Sequence, residues 1–166
     1  MSGGTMAGND RLLRIYMNDQ LALGVLWREV ARRAHNASNG TPEGEALGRV
    51  AAAIAEDVSL FEQLMRRLGF STRTPKALLA VAAERVGRLK LNGRLVSRSP
   101  LSRFEELDFL VMGIDGKVVL WQNLRDGAGL AARLPDIDFD GLIERARSQR
   151  AELEPFHAQA AQEALR

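Results

Sequence analysis

The side chains with the widest chemical reach in this 166-residue chain are two histidines and a few carboxylates set among apolar residues. Glu154 and His157 stand three apart, a spacing that carries two groups to one side of a helix from adjacent turns. His157 also shares a stripe with Leu153, Ala160 and Ala164, which aims it inward. Asp19 lies between Tyr16 and Leu23, Asp57 between Ile54 and Phe61, and Asp108 between Phe104 and Val111, each on a comparable stripe. Burying an isolated carboxylate costs on the order of several kcal/mol, so such a group must be paired, hydrogen-bonded or metal-bound. Asp19, Asp57, Asp108, Glu154 and His157 are therefore either ligands of a metal ion or members of buried polar pairs. Arg28, Arg66, Lys117, Gln20 and Gln149 are partners of a suitable type for the second case. The other histidine, His35, falls at a helix end, where a cation complements the helix dipole.

Asp136-Ile137-Asp138-Phe139-Asp140-Gly141 matches the first half of a helix-loop-helix calcium loop, but the twelfth position is Arg147, where a bidentate Glu should sit. These aspartates suit a second role, capping the helix that follows and complementing its N-terminal dipole. Charge distribution says more than the net charge of +2. Residues 1–72 balance, residues 73–104 hold eight bases against Glu84 alone, and residues 105–166 hold seven bases against twelve acids. Arg85, Arg88, Lys90, Arg94, Arg98 and Arg103 dominate the basic stretch. They could meet a polyanion (phosphate or nucleic acid) or an acidic protein, or lie against the chain's own acidic C-terminal part. No aromatic residue falls between Phe70 and Phe104, which argues against stacking on single-stranded bases.

Other chemistries are thinly represented. With no cysteine there is no disulfide framework, thiolate metal site or Cys nucleophile. Asp115-Gly116-Lys117 lacks the spacing and hydroxyl of a phosphate loop, and neither histidine has a recognisable Ser and Asp companion. No stretch approaches the roughly 20 apolar residues of a spanning helix, so no membrane partner is expected and a cytoplasmic location is. Residues 1–9 carry no secretory pattern and read as a flexible leader before one helical domain over 10–166.

The elements that must position these groups are helices. Thr41-Pro42, Thr74-Pro75 and Ser99-Pro100 each pair a capping hydroxyl with a proline suited to the first helical position. Asn39-Gly40, Gly69, Asn92-Gly93 and Gly127 follow apolar periodic runs and read as stops. Between these signals, apolar residues recur at three- and four-residue spacing. Helix 1 spans 10–36 with Leu12, Tyr16, Leu23, Leu26, Val30 and Ala34 on one face. Helix 2 spans 42–68 (Leu47, Val50, Ile54, Phe61, Leu64, Leu68), and helix 3 spans 75–91 (Leu78, Leu79, Ala82, Val86, Leu89). Helix 4 spans 100–125 (Phe104, Leu107, Val111, Ile114, Val118, Trp121). Helix 5 spans 138–165, with Leu142, Ala146 and Leu153, and with Pro155 expected to kink or break it. No segment alternates with period two, so the fold class is all-α. The four long helices each run on the order of 40 Å and the first loop is short, which reads as an up-down four-helix bundle with helix 3 as a crossover between two hairpins. Five equal helices are the competing topology.

The segments Arg11–Gln20, Gly87–Gly93 and Ser99–Arg103 (RLLRIYMNDQ, GRLKLNG and SPLSR) resemble uncharacterised bacterial proteins of the ferritin-like superfamily, over nearly the whole chain from about residue 10. The resemblance implies a ferritin-like bundle and, in its metal-carrying members, two ions held by carboxylates from all four helices with a Glu-x-x-His pair on two of them. Glu154 to His157 supplies one such pair, while Glu56-Asp57-Val58-Ser59 offers Ser59 where the second histidine belongs. The full di-iron signature is lacking. The chain is therefore expected to be a non-enzymatic interaction or structural protein that self-associates as a homodimer. Iron or manganese binding, or redox chemistry, at Asp19, Asp57, Asp108, Glu154 and His157 is the first alternative, and polyanion binding by the basic crossover is the second.

Overall fold

A computed structural model describes residues 3–87 and 99–166, and among them every regular element is helical. The elements are α1 (Gly3–Ala37), α2 (Pro42–Arg67), α3 (Pro75–Gly87), α4 (Pro100–Gln122), α5 (Leu130–Arg133) and α6 (Phe139–Leu165), with a π-helical turn at Asn123–Gly127. The all-α expectation holds. Each Ser/Thr-Pro signal starts a helix. Thr41 Oγ1 accepts from the Gly44 amide at 3.0 Å, Thr74 Oγ1 from Ala77 at 3.3 Å and Ser99 Oγ from Ser102 at 3.1 Å. Gly40 and Gly69 adopt φ of 78° and 73°, the left-handed conformation that closes a helix and suits glycine. Among the described residues no helix is long and apolar enough to cross a membrane.

Four expectations are corrected. The first helix begins at Gly3 rather than at residue 10, because extending a nucleated helix fixes one residue per hydrogen bond gained. The α1 face is rotated: Leu12 is 67% exposed, and the buried residues are Met17, Leu21, Val25 and their neighbours. Apolar side chains lie on more than one side of that helix, so periodicity alone does not select the buried one. The fourth helix ends at Gln122 in a π-helical turn, and the unforeseen α5 follows it after Gly129, whose φ is 63°. Finally, α6 runs unbroken through Pro155. Proline removes the donor for the Ala151 carbonyl, but both residues are exposed, so water can serve that carbonyl.

The chain divides into two compact units, Met1–Glu29 with Ala52–Asn92, and Val30–Ala51 with Gly93–Arg166. In the first, Ile54, Phe61 and Leu64 of α2 and Leu78 and Ala82 of α3 are buried as their spacing predicts. Asn18, only 6% exposed, ties α1 to the segment before α3. Its amide donates to the carbonyls of Arg14 (3.0 Å) and Ser71 (3.1 Å), and its oxygen accepts from the Arg73 backbone (3.0 Å).

In the second unit the turn from α1 to α2 is built around two glycines. The Ser38 carbonyl accepts from the Thr41 amide and hydroxyl, at 3.2 and 2.6 Å, and lies where a Cβ on Gly44 would be. The His35 ring covers Gly48, and its Nδ1–H donates to the Gly44 carbonyl at 2.7 Å. Most of the core of this unit lies where α4 packs along α6, burying Leu107, Leu110, Ile114 and Trp121 with Ile143, Ala146 and Leu153. The Trp121 and Phe139 rings meet at 6.4 Å between centroids.

Two glycine-to-alanine substitutions should move stability in opposite directions. Gly116 of α4 is helical with nothing within 4 Å of an added Cβ, so Gly116→Ala should stabilise by up to about 1 kcal/mol through helix propensity. Gly44→Ala drives a methyl into the Ser38 carbonyl and should destabilise by about 1–2 kcal/mol net. Urea denaturation midpoints of the two variants check this, and shifts of the same sign would contradict it.

Candidate functional site

The polar groups singled out from the sequence gather most densely where α4 and α6 lie side by side. Asp108 and His157 meet there, with Nε2 to Oδ1 at 2.9 Å, and the Phe104 ring lies 5.6 Å from the imidazole. Seven residues further along α4 stands Asp115, and seven residues back along α6 stands Arg150; these two approach to 3.6 Å. Ten residues beyond Asp115, Arg125 of the π-helical turn reaches Asp140, ten residues before Arg150. Equal steps in opposite directions are what an antiparallel helix pair in one fixed register produces. Lys117 donates to Gln149 in the same register.

The five metal candidates are thus distributed as follows. Asp108 and His157 come together. Glu154 is exposed on α6 and pairs with Arg150 one turn earlier rather than converging with His157. Asp19 pairs with Arg73 at 3.5 Å, and Asp57 is 5% exposed on α2, both in the first unit. Among the described residues no group of three or more His, Asp or Glu side chains converges as a metal site would require.

Arg103 begins a second cluster. It donates through Nε to Glu43 Oε2 at 2.9 Å, reaches the same carboxylate through Nη2, and pairs with Glu163 through Nη1. Ser38 Oγ donates to the other Glu43 oxygen at 3.1 Å. Glu43 is 8% exposed and sits in the first turn of α2, where the helix dipole favours a negative charge. Hydrogen bonding to Glu43 is the largest influence raising the Arg103 pKa above its ordinary value. The groups line a cleft of about 520 Å3 with Ser99, Phe156 and Gln159. Of the other proposed polyanion contacts, Arg85 lies near the end of α3, while Arg88, Lys90, Arg94 and Arg98 lie outside the described residues. At Arg103 the basic stretch meets the chain's own acids.

The aspartate-rich segment behaves as a helix start. Asp138 caps α6, its Oδ1 accepting from the Gly141 amide at 2.9 Å. Arg125 binds Asp126 through Nε at 2.8 Å and Nη2 at 2.7 Å while also engaging Asp140. This two-pronged bond to Arg125 holds the Asp126 carboxyl below its ordinary range.

A further surface borders these groups. Outside the α4–α6 seam runs a groove of about 640 Å3, lined by Asp115, Val118, Arg147, Arg150, Ala151, Glu154, Pro155 and Ala158. On the adjoining face of α4, Leu101, Met112 and Val119 recur at eleven- and seven-residue intervals and are 47%, 56% and 53% exposed. Sequence reasoning missed this face because its three apolar residues are thinly spread on the side of α4 opposite the buried stripe, and missed Glu43 because first-turn acids are common. Glu43 two residues after the Thr41 cap was the available signal. In comparison with known proteins, no family model, curated protein or solved structure matches the chain.

The Asp108–His157 contact can be weighed by a double-mutant cycle of Asp108→Ala and His157→Ala in urea denaturation. Both groups are partly exposed, so the coupling should be about 0.5–1 kcal/mol. Additive effects of the two substitutions would contradict the pairing.

Proposed function

We propose that the protein is a non-enzymatic interaction or structural protein, a bundle of ferritin-like type that works by self-association. The observation that carries this reading is the set of exposed apolar residues on α4. Leu101, Met112 and Val119 share one side of that helix, an arrangement that a lone chain gains nothing by keeping in water. The charged groups argue the same way. Arg103, Arg125 and Arg150, which could have met a substrate, are spent on Glu43, Asp140 and Asp115 of the same chain.

The bundle reading draws support from the second unit, where Ala34 of α1, Leu47 of α2, Ile114 of α4 and Leu153 of α6 are all buried. Glu43–Arg103–Glu163 and Arg49–Glu152 tie α2, α4 and α6 together there. The helix α3 falls between α2 and α4 in chain order, where a crossover would run.

Sedimentation equilibrium from low to high micromolar concentration tests self-association. The expected result is an apparent mass rising toward twice that of the chain. A mass equal to one chain throughout would refute it.

A further inference from the structure

The outer groove between α4 and α6 has an apolar floor and a rim carrying both signs of charge. Val118, Ala151, Pro155 and Ala158 make the floor, and Asp115, Arg147, Arg150 and Glu154 make the rim. The α4 flank continues the apolar surface through Met112 and Val119. Ala151 and Ala158 are small and stand seven residues apart on the outward side of α6, so another helix can approach its backbone closely.

The rim decides what that helix is. Arg147 lies four residues before Ala151 and Glu154 three after it, on the same side of α6. A two-fold axis beside Ala151 lays α6 antiparallel on a copy of itself and brings each Arg147 opposite the partner's Glu154. These contacts are self-complementary, as a two-fold interface requires, and they add to pairs made within α6, Arg147 with Glu144 and Glu154 with Arg150. A uniformly acidic or uniformly basic partner helix would face one like charge for every opposite one. Resting on the self-association reading above, we infer that this groove is the dimer interface, occupied by α6 of a second copy crossing at Ala151.

Charge exchange separates the surface from the general reading. In sedimentation equilibrium, Arg147→Glu and Glu154→Arg should each weaken the dimer about tenfold, because each sets like charges together at two symmetric contacts. The double variant Arg147→Glu/Glu154→Arg should return to within about threefold of wild type, since the exchanged pairs match again. A second readout uses the absence of cysteine. Ala151→Cys places two thiols near the axis and should give a disulfide-linked dimer under mild oxidation, while Ala132→Cys on exposed α5 should remain largely uncross-linked. A dimeric wild type with unaffected variants, and no preference of Ala151→Cys over Ala132→Cys, would overturn the groove while self-association stood. A wild type that is monomeric at every concentration would overturn both and leave the groove to a helix of another protein.

Discussion

The antiparallel register of α4 on α6 is the constraint on which the second unit depends. Once Asp108 faces His157, helical periodicity places Asp115 by Arg150 and Arg125 by Asp140. The same register turns Leu107, Ile114 and Trp121 inward against Ile143 and Leu153. A slip of one turn would break every edge pair together and mismatch the interior side chains. The reversal between the two helices is anchored by buried leucines. The π-helical turn buries Leu124, α5 buries Leu130, and Gly129 takes the left-handed conformation that lets the chain change direction.

Magnitudes separate what stabilises the pair from what specifies it. Exposed ion pairs of this kind contribute roughly 0–1 kcal/mol each, whereas losing one buried leucine from a core costs about 2–5 kcal/mol. The packed interior therefore supplies the stability, and the edge pairs choose among registers that would bury similar area. Glu43 with Arg103 is the more demanding case, because an 8%-exposed carboxylate needs its partners to be tolerated at all. Ser38, Arg103 and the α2 dipole together meet that need, and through Glu163 the same guanidinium holds α6 to α2.

Local chemistry was readable in the sequence, and tertiary choice was not. The three hydroxyl-proline starts and the glycine stops Gly40 and Gly69 act within a few residues, so their signals survive without any knowledge of the fold. The buried faces of α2, α4 and α6 were largely readable because each bears one dense apolar stripe. On α1 two sides compete, and only contact with neighbours decides for Met17 over Leu12. Of the site residues, Asp108 and His157 meet, at the partly exposed edge of the seam rather than in its interior. Glu154 stays exposed instead, because Arg150 one turn earlier supplies an ion-pair partner on the same helix. Glycines 44 and 48 could not be interpreted beforehand, since their reason is the close passage of the Ser38 carbonyl and the His35 ring.

The proposed self-association rests on what the register leaves outside. Among the described residues of α4, Leu101, Met112 and Val119 are left exposed outside that seam. The most direct check on the central constraint is native-state hydrogen exchange across a denaturant series, read at the buried stretches of α4 and α6. If their register holds the unit together, the slowest amides of both helices, around Ile114 and Leu153, should exchange through one shared opening with the same free energy and denaturant dependence. Separate openings, with one helix exchanging while the other stays protected, would contradict it.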